Sequence, residues 1–300
     1  MSERFFAVVN PAAGGGRCGK LAPSALEKLR QNGVELEVAE TRFAGQGVEL
    51  TREAYRRGFR HFLAVGGDGT SYEIVNGLFP EAAAGERPTL AFLPLGTGNS
   101  FLRDFTRQGA EHATKALLAG RRRRCDVLRL AHTQGTIYYI NLLSMGFTAD
   151  VAALTNRKFK PLGELGYLMG VLLCLLRLNR RAFPLRVEGR QEMDRRRCLF
   201  LTFNNSKFTG GKMMIAPQAD PADGWIEFVR WGPIGRLGLL RNLHRLYDGS
   251  HVEHPLASRQ AVRRVDFALD GPVDVMVDGE VLTLHCQTLD ILPGALNVMV

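Results

Sequence analysis

In the first part of the chain, short apolar runs of strand length alternate with segments of helical periodicity. Residues 5–10, 34–40, 62–65 and 90–93 are dominated by Val, Ala, Phe and Leu and read as strands. Residues 21–31, 48–58, 71–78 and 111–119 repeat apolar side chains at the spacing of one helix face, and Pro23 is expected in the first turn of the first helix. Residues 80–88 read as a loop. Alternating strands and helices predict a mostly parallel sheet covered on both faces, with ligands at the carboxyl ends of its strands.

Beyond the arginine run 121–124 the pattern changes. Residues 127–130, 136–143, 185–187, 198–203, 225–229, 264–269 and 273–277 are strand candidates, many bounded by Gly, Pro or Asp. They predict an antiparallel β domain interrupted by helices near 162–178 and 236–248. The boundary is expected near Cys125. The chain has no internal repeat, low-complexity tract or long linker.

Composition narrows the class. The 300 residues are 45% hydrophobic and 23% charged, a globular balance with ample core. The longest apolar run, 167–176, falls short of the roughly 20 residues a bilayer span needs, and the first residues lack signal-peptide architecture. A cytoplasmic protein is expected. Five scattered cysteines without a C-x-x-C pair predict reduced thiols. His251 and His254 form the only close histidine pair and read as surface loop. The net charge of +9 gathers in arginine clusters at 121–124, 180–181, 195–197 and 263–264. No nucleic-acid module is present, so no nucleic-acid partner is expected. An anionic membrane surface is the better functional reading, solvated turns the plain one.

The chemistry concentrates at glycine-rich loops after predicted strands. Gly66-Gly67-Asp68-Gly69-Thr70 follows a buried-type strand and opens a helix, continuing into Glu73-x-x-Asn76-Gly77. Glycine lets the backbone turn sharply and brings its N–H groups close to a ligand, and N–H groups at a helix start attract phosphate. Asp68 would repel a bare phosphate and suits a bridging Mg²⁺ or a proton. A second loop runs from Asn10 through Gly14 to Gly19-Lys20. Leu21 stands where a P-loop needs Ser or Thr, which excludes a standard P-loop while keeping phosphate contact. A third is Pro94-Leu-Gly96-Thr97-Gly-Asn99-Ser100. Far along the chain, Asp278-Gly279 reads as a hairpin turn that could also deliver a base, and Asp220 and Asp223 read as turn formers or hard-cation ligands.

This ordered set, completed by Asn141-x-x-x-x-Gly146-Phe, Ala216-Pro and Asp278-Gly-Glu280, resembles the diacylglycerol kinase / sphingosine kinase superfamily of lipid kinases over residues 5–290. Gly-Gly-Asp-Gly alone would also suit NAD kinases and phosphofructokinases. The resemblance implies a Rossmann-like α/β nucleotide-binding domain (1–125) and a C-terminal antiparallel β-sandwich domain with helical insertions (126–290). Residues 291–300 are expected to return to the first domain, and a cleft to lie between the two. It implies ATP and Mg²⁺, with Asn10, Gly14, Thr41, Gly66, Gly67, Gly69, Thr70, Gly96, Thr97 and Asn99 lining the nucleotide. Asp68 joins the metal–phosphate network. Asp278, with Glu280 beside it, matches the general base of bacterial members, whereas sphingosine kinases give that role to the Asp68 position. Asp223, with the carbonyls of Asp220 and Trp225, matches a structural Mg²⁺ site. Ser100 departs from the Asp of bacterial diacylglycerol kinases.

Asp150 matches the acid that meets the polar head of a sphingoid base, or else caps the following helix. Leu168 and Leu172 lie in an apolar stripe that is either core, acyl-chain pocket or membrane-facing helix. The expected activity is transfer of the ATP γ-phosphoryl group to a hydroxyl of a membrane lipid, diacylglycerol or sphingoid, serving phospholipid metabolism. The expected location is cytoplasmic and peripheral at the inner membrane surface. A soluble-metabolite kinase of the NAD kinase type and a non-catalytic lipid-binding protein are the alternatives.

Overall fold

The computed structural model describes residues 3–106, 109–158, 163–210 and 212–300. The chain forms two compact units. Unit 1 comprises Met1–Val127, Tyr138–Ile140 and Leu292–Val300, and unit 2 comprises Leu128–Ile137 and Asn141–Ile291.

Unit 1 is an α/β fold. Its elements are β1 (Arg4–Val9), α1 (Arg17–Gln31), β2 (Glu35–Glu40), α2 (Gln46–Arg56), β3 (His61–Gly66), α3 (Asp68–Leu78), β4 (Thr89–Pro94), α4 (Ala110–Leu118) and the start of β5 (Arg122–His132). The strands run β2-β1-β3-β4, all parallel, and Asn297 and Val298 pair with Thr89 and Leu90, also parallel. Alternate residues of β1, β3 and β4 enter different cores. Phe6, Val8, Phe62, Ala64, Leu90 and Phe92 join the cluster made by α2 and α3. Phe5, Ala7, Val9, Leu63, Val65, Ala91 and Leu93 join the cluster made by α1. A strand buried on both faces reads as a continuous apolar run, which is why these segments stand out in sequence. Pro23 lies well inside α1 rather than in its first turn, because the helix starts at Arg17, directly after the glycine loop.

Unit 2 contains β6 (Gly135–Tyr139, ending in unit 1), β7 (Leu142–Gly146), α5 (Phe147–Lys158), α6 (Gly163–Leu176), β8 (Arg181–Ala182), β9 (Leu185–Val187), β10 (Arg197–Cys198) and β11 (Phe200–Asn204). It continues with β12 (Phe208–Thr209), β13 (Met213–Met214), β14 (Ile226–Trp231), α7 (Arg236–Asn242), α8 (Arg245–Asp248), β15 (Ala257–Val262), β16 (Arg264–Phe267), β17 (Val273–Val277), β18 (Glu280–Leu284) and β19 (Cys286–Met299), whose last residues belong to unit 1. A six-stranded antiparallel sheet runs β15-β14-β11-β7-β17-β18. Its apolar face, with Phe200, Val229 and Trp231, packs on Phe147, Val151, Val171, Leu175, Leu239 and Leu246 from the helices. β16 pairs with β9 and with Thr288–Asp290 of β19.

The expected strand over 136–143 is two strands. The chain breaks at Ile140–Asn141, where the next two amides leave the ladder for a side chain described below. The expected helix over 236–248 is likewise two, α7 and α8. Among the described residues, no helix is long and apolar enough to cross a membrane.

Candidate active site

Four loops leave the carboxyl ends of parallel strands in unit 1. After β1, Asn10 Oδ1 accepts the Ala12 amide at 3.1 Å and starts a tight turn, and Gly14, Gly15 and Gly16 all take positive φ before α1 begins. No atom lies within 4 Å of where a Cβ would stand on Gly15 or Gly16, so the turn has open space around it. Thr41, after β2, donates its amide to Val9 O at 2.8 Å.

The loops after β3 and β4 interlock. Gly96 N donates to Gly66 O at 2.8 Å and Asp68 N to Gly98 O at 2.9 Å. A Cβ on Gly67 would stand 2.7 Å from Gly98 O, and one on Gly96 would stand 2.9 Å from Gly67 N. No side chain larger than hydrogen fits at that crossing. Thr97 is exposed, and Asn99 Nδ2 donates to Gly96 O at 3.2 Å.

Asp68 opens α3. Its Oδ2 accepts the Ser100 amide at 2.8 Å. Burial pushes its carboxyl above the ordinary carboxylate value, while the Ser100 amide and hydroxyl and the Phe101 amide pull it back. Asp68 lines a small pocket with Gly66, Gly67, Ser71, Asn99 and Phe101. Two residues on, Thr70 is buried and its hydroxyl has no hydrogen-bond partner among the described residues. Such a group is costly unless something satisfies it. Gly69 completes the first turn of α3.

In unit 2, Asp278 and Gly279 form the two-residue turn between β17 and β18, with φ of 48° and 92°. Positive φ at both positions is the hairpin geometry that Asp-Gly favours. Asp278 is 3% exposed, and its Oδ1 accepts the amides of Asn141 at 3.1 Å and Leu142 at 2.9 Å. A buried carboxylate held by two backbone donors on a left-handed residue is a locally strained arrangement of the kind found at functional sites. Glu280 is exposed at the start of β18.

Asp150 lies in the first turn of α5 and forms an ion pair with Arg181. Leu168 and Leu172 lie on α6, but their side chains lie outside the described residues. Asp220 Oδ1 accepts the Ala222 amide at 3.1 Å and Asp223 Oδ1 the Trp225 amide at 2.8 Å. The Trp225 indole lies under the Arg263 guanidinium, 4.3 Å from its carbon. Among the described residues, no three His, Cys, Asp or Glu side chains cluster as a metal site.

Two family models divide the chain. The diacylglycerol kinase catalytic domain matches residues 4–130, and the YegS C-terminal NAD kinase beta sandwich-like domain matches residues 141–300. The chain belongs to the diacylglycerol kinase–YegS family. A Chromohalobacter salexigens protein named "probable lipid kinase YegS-like" is 32% identical over 91% of this chain and 86% of its own. A diacylglycerol kinase of Mycobacterium tuberculosis is 27% identical over 98% of this chain and 94% of its own, and one of Bacillus subtilis 28% over 97% of each. A crystal structure of a diacylglycerol kinase from Bacillus anthracis superimposes with a TM-score of 0.70 over 99% of this chain and 96% of that one, at 18% identity. Another from the same organism reaches 0.79 at 21% identity, over 99% and 95%.

Within this diacylglycerol kinase–YegS chain, two groups of residues hold the loops without having been assigned a role from sequence. Glu73 accepts the amides of Gly45 at 2.8 Å and Gly47 at 2.7 Å, fixing the start of α2. Asn76 pairs with the Tyr138 backbone in both directions, at 2.8 and 2.9 Å. Their spacing on one helix face was visible, but their targets are distant in sequence. The second group, Asn204-Asn205-Ser206, is fully buried at the end of β11. Ser206 Oγ donates to Asn141 Oδ1, and the Asn205 amide donates to Asn141 O at 2.8 Å. The same segment that holds Asp278 is thereby anchored. The signal was there: three consecutive polar residues closing an apolar strand.

Proposed function

We propose that the protein transfers the γ-phosphoryl group of ATP to a hydroxyl of a membrane lipid, diacylglycerol or a sphingoid-type lipid. The observation that carries this reading is the interlock of the 66–70 and 96–100 loops around Asp68, at the carboxyl ends of adjacent parallel strands. The names of the relatives support lipid as the acceptor.

Phosphoryl transfer asks a protein for positioning and charge neutralisation more than covalent chemistry. The backbone of Gly66, Gly67, Gly69, Gly96 and the Asn10–Gly14 turn would hold the phosphates. The unpartnered Thr70 hydroxyl is a group that a phosphate oxygen would satisfy, and Thr41, Thr97 and Asn99 line the same strand ends. Mg²⁺ typically binds one or two carboxylates together with substrate phosphates and water, and the lone Asp68 carboxylate fits that donor set. When bound, the ion supplies charge neutralisation at the phosphates. At a second ion position, Asp220, Asp223 and Trp225 fit less well, since both carboxylates already close turns on backbone amides. Asp278 is the proposed acceptor of the hydroxyl proton, held by Asn141 and Leu142, with Glu280 beside it.

ATP turnover across a lipid panel tests the reading. Phosphorylation of diacylglycerol or a sphingoid base supports it. NADP formed from NAD would favour a soluble-metabolite kinase, and no turnover with any lipid would favour a binding protein.

A further inference from the structure

Unit 2 carries an apolar and basic face that its own core does not explain. On α6, Val171 and Leu175 enter the buried cluster with Leu239 and Leu246. Met169, Leu173 and Leu176, spaced i, i+4, i+7, lie on another face of the helix and are 38%, 41% and 69% exposed. On α7, Leu239 is buried, whereas Leu237 and Leu240 are 71% and 42% exposed. The two helices adjoin. Arg236, at the start of α7, donates to Leu175 O at 3.2 Å and Leu176 O at 2.9 Å, capping the end of α6. This contact joins the end of α6, with exposed Leu173 and Leu176, to the start of α7, with exposed Leu237 and Leu240.

Along these two segments the charge has one sign. Residues 165–187 and 228–247 contain no Asp or Glu. Arg177, Arg180 and Arg241 are exposed and form no ion pair among the described residues, unlike Arg181 and Arg230, which pair with Asp150 and Asp194. We propose that this α6–α7 face docks unit 2 onto an anionic lipid bilayer, the leucines entering the acyl boundary and the arginines meeting the headgroups. Charge selects this occupant. A second copy would bring the same arginines against these and repel, whereas anionic headgroups accept both leucine and arginine. The inference rests on the lipid-kinase reading and names the surface through which such an enzyme would meet its substrate.

Vesicle sedimentation of the full chain tests it. Wild-type protein is expected to sediment with equimolar phosphatidylcholine–phosphatidylglycerol vesicles far more than with pure phosphatidylcholine. L237S/L240S should weaken that binding by about tenfold or more, while R177Q/R180Q/R241Q should remove the dependence on anionic lipid and on salt. Both variants should melt as the wild type does and keep wild-type turnover on lipid dispersed in detergent micelles. Equal vesicle binding by wild type and both variants would overturn the proposal. So would sedimentation equilibrium showing a dimer that L237S/L240S dissociates. If no lipid is phosphorylated even in micelles, the kinase reading fails, and the vesicle results still decide the docking face.

Discussion

The Glu73 carboxylate lies 2.7 Å from the Gly47 amide, so the helix that carries Asp68 also fixes the start of the neighbouring helix. A Cβ on Gly47 would stand 2.4 Å from Glu73 Oε2. Removing the acid with E73A leaves the Gly45 and Gly47 amides without their acceptor at a helix start, at a cost of about 1.5–3 kcal/mol for a hydrogen bond to a charged group. The expected result is a lower urea midpoint with an unchanged slope, and G47A should destabilise through the same contact.

D68N and D278N should each cut turnover by orders of magnitude with little change in circular dichroism. For D278N the expected loss is about 10²–10⁴-fold, the usual contribution of a positioned base. D278G, set beside D278N, separates geometry from chemistry. Glycine relaxes the positive φ but removes the acceptor of the buried Asn141 and Leu142 amides, so D278G should lose stability as well as activity, whereas D278N keeps an Oδ1 for those amides and should lose activity alone. Full activity of both Asn variants, assayed on the correct lipid, would refute the assignment.

G67A tests the interlocked loops. The new methyl meets Gly98 O at 2.7 Å and must push the two loops apart. A loss of about 1–3 kcal/mol in stability is expected from such overpacking, with a raised KM for ATP. An unchanged KM would detach this crossing from nucleotide binding.

Unit 2 should lose stability in mild acid through His251. The imidazole, expected on a surface loop, is instead fully buried against Phe200 and Trp231. Burial lowers its pKa, against weaker opposing contributions from the Arg245 and Ile215 backbone and Asp248. A folded-state pKa below the unfolded value of about 6.5 means the unfolded chain takes up the proton first. Stability is then complete above that value and falls as pH drops below it toward the folded pKa. Urea midpoints at about pH 7.5 and about pH 5.5 should differ in the wild type and differ less in H251N.

The α/β half was legible because β1, β3 and β4 each feed two cores and therefore show as uninterrupted apolar runs. Unit 2 was less so. α5 went unassigned because Phe147–Lys158 has little apolar periodicity. The strand over 136–143 was read as one because Ile140-Asn141-Leu142 looks continuous; only the distant Asp278 carboxylate shows why it breaks. In the candidate site the glycines and Asp68 announced themselves by composition. Asn204-Asn205-Ser206 showed only as polar residues closing an apolar strand, and their anchoring role did not show, since a buried polar residue declares its role through the partner it meets.

The carboxyl terminus has a practical consequence for handling the protein. Residues Leu292–Val300 belong to unit 1, and Asn297 and Val298 lie against Thr89 and Leu90. Producing residues 1–127 on their own would strip β4 of that neighbour and bare an apolar sheet edge, which invites aggregation. Val300 is 8% exposed, so a purification tag or fluorescent reporter attached there would have to emerge from packed structure.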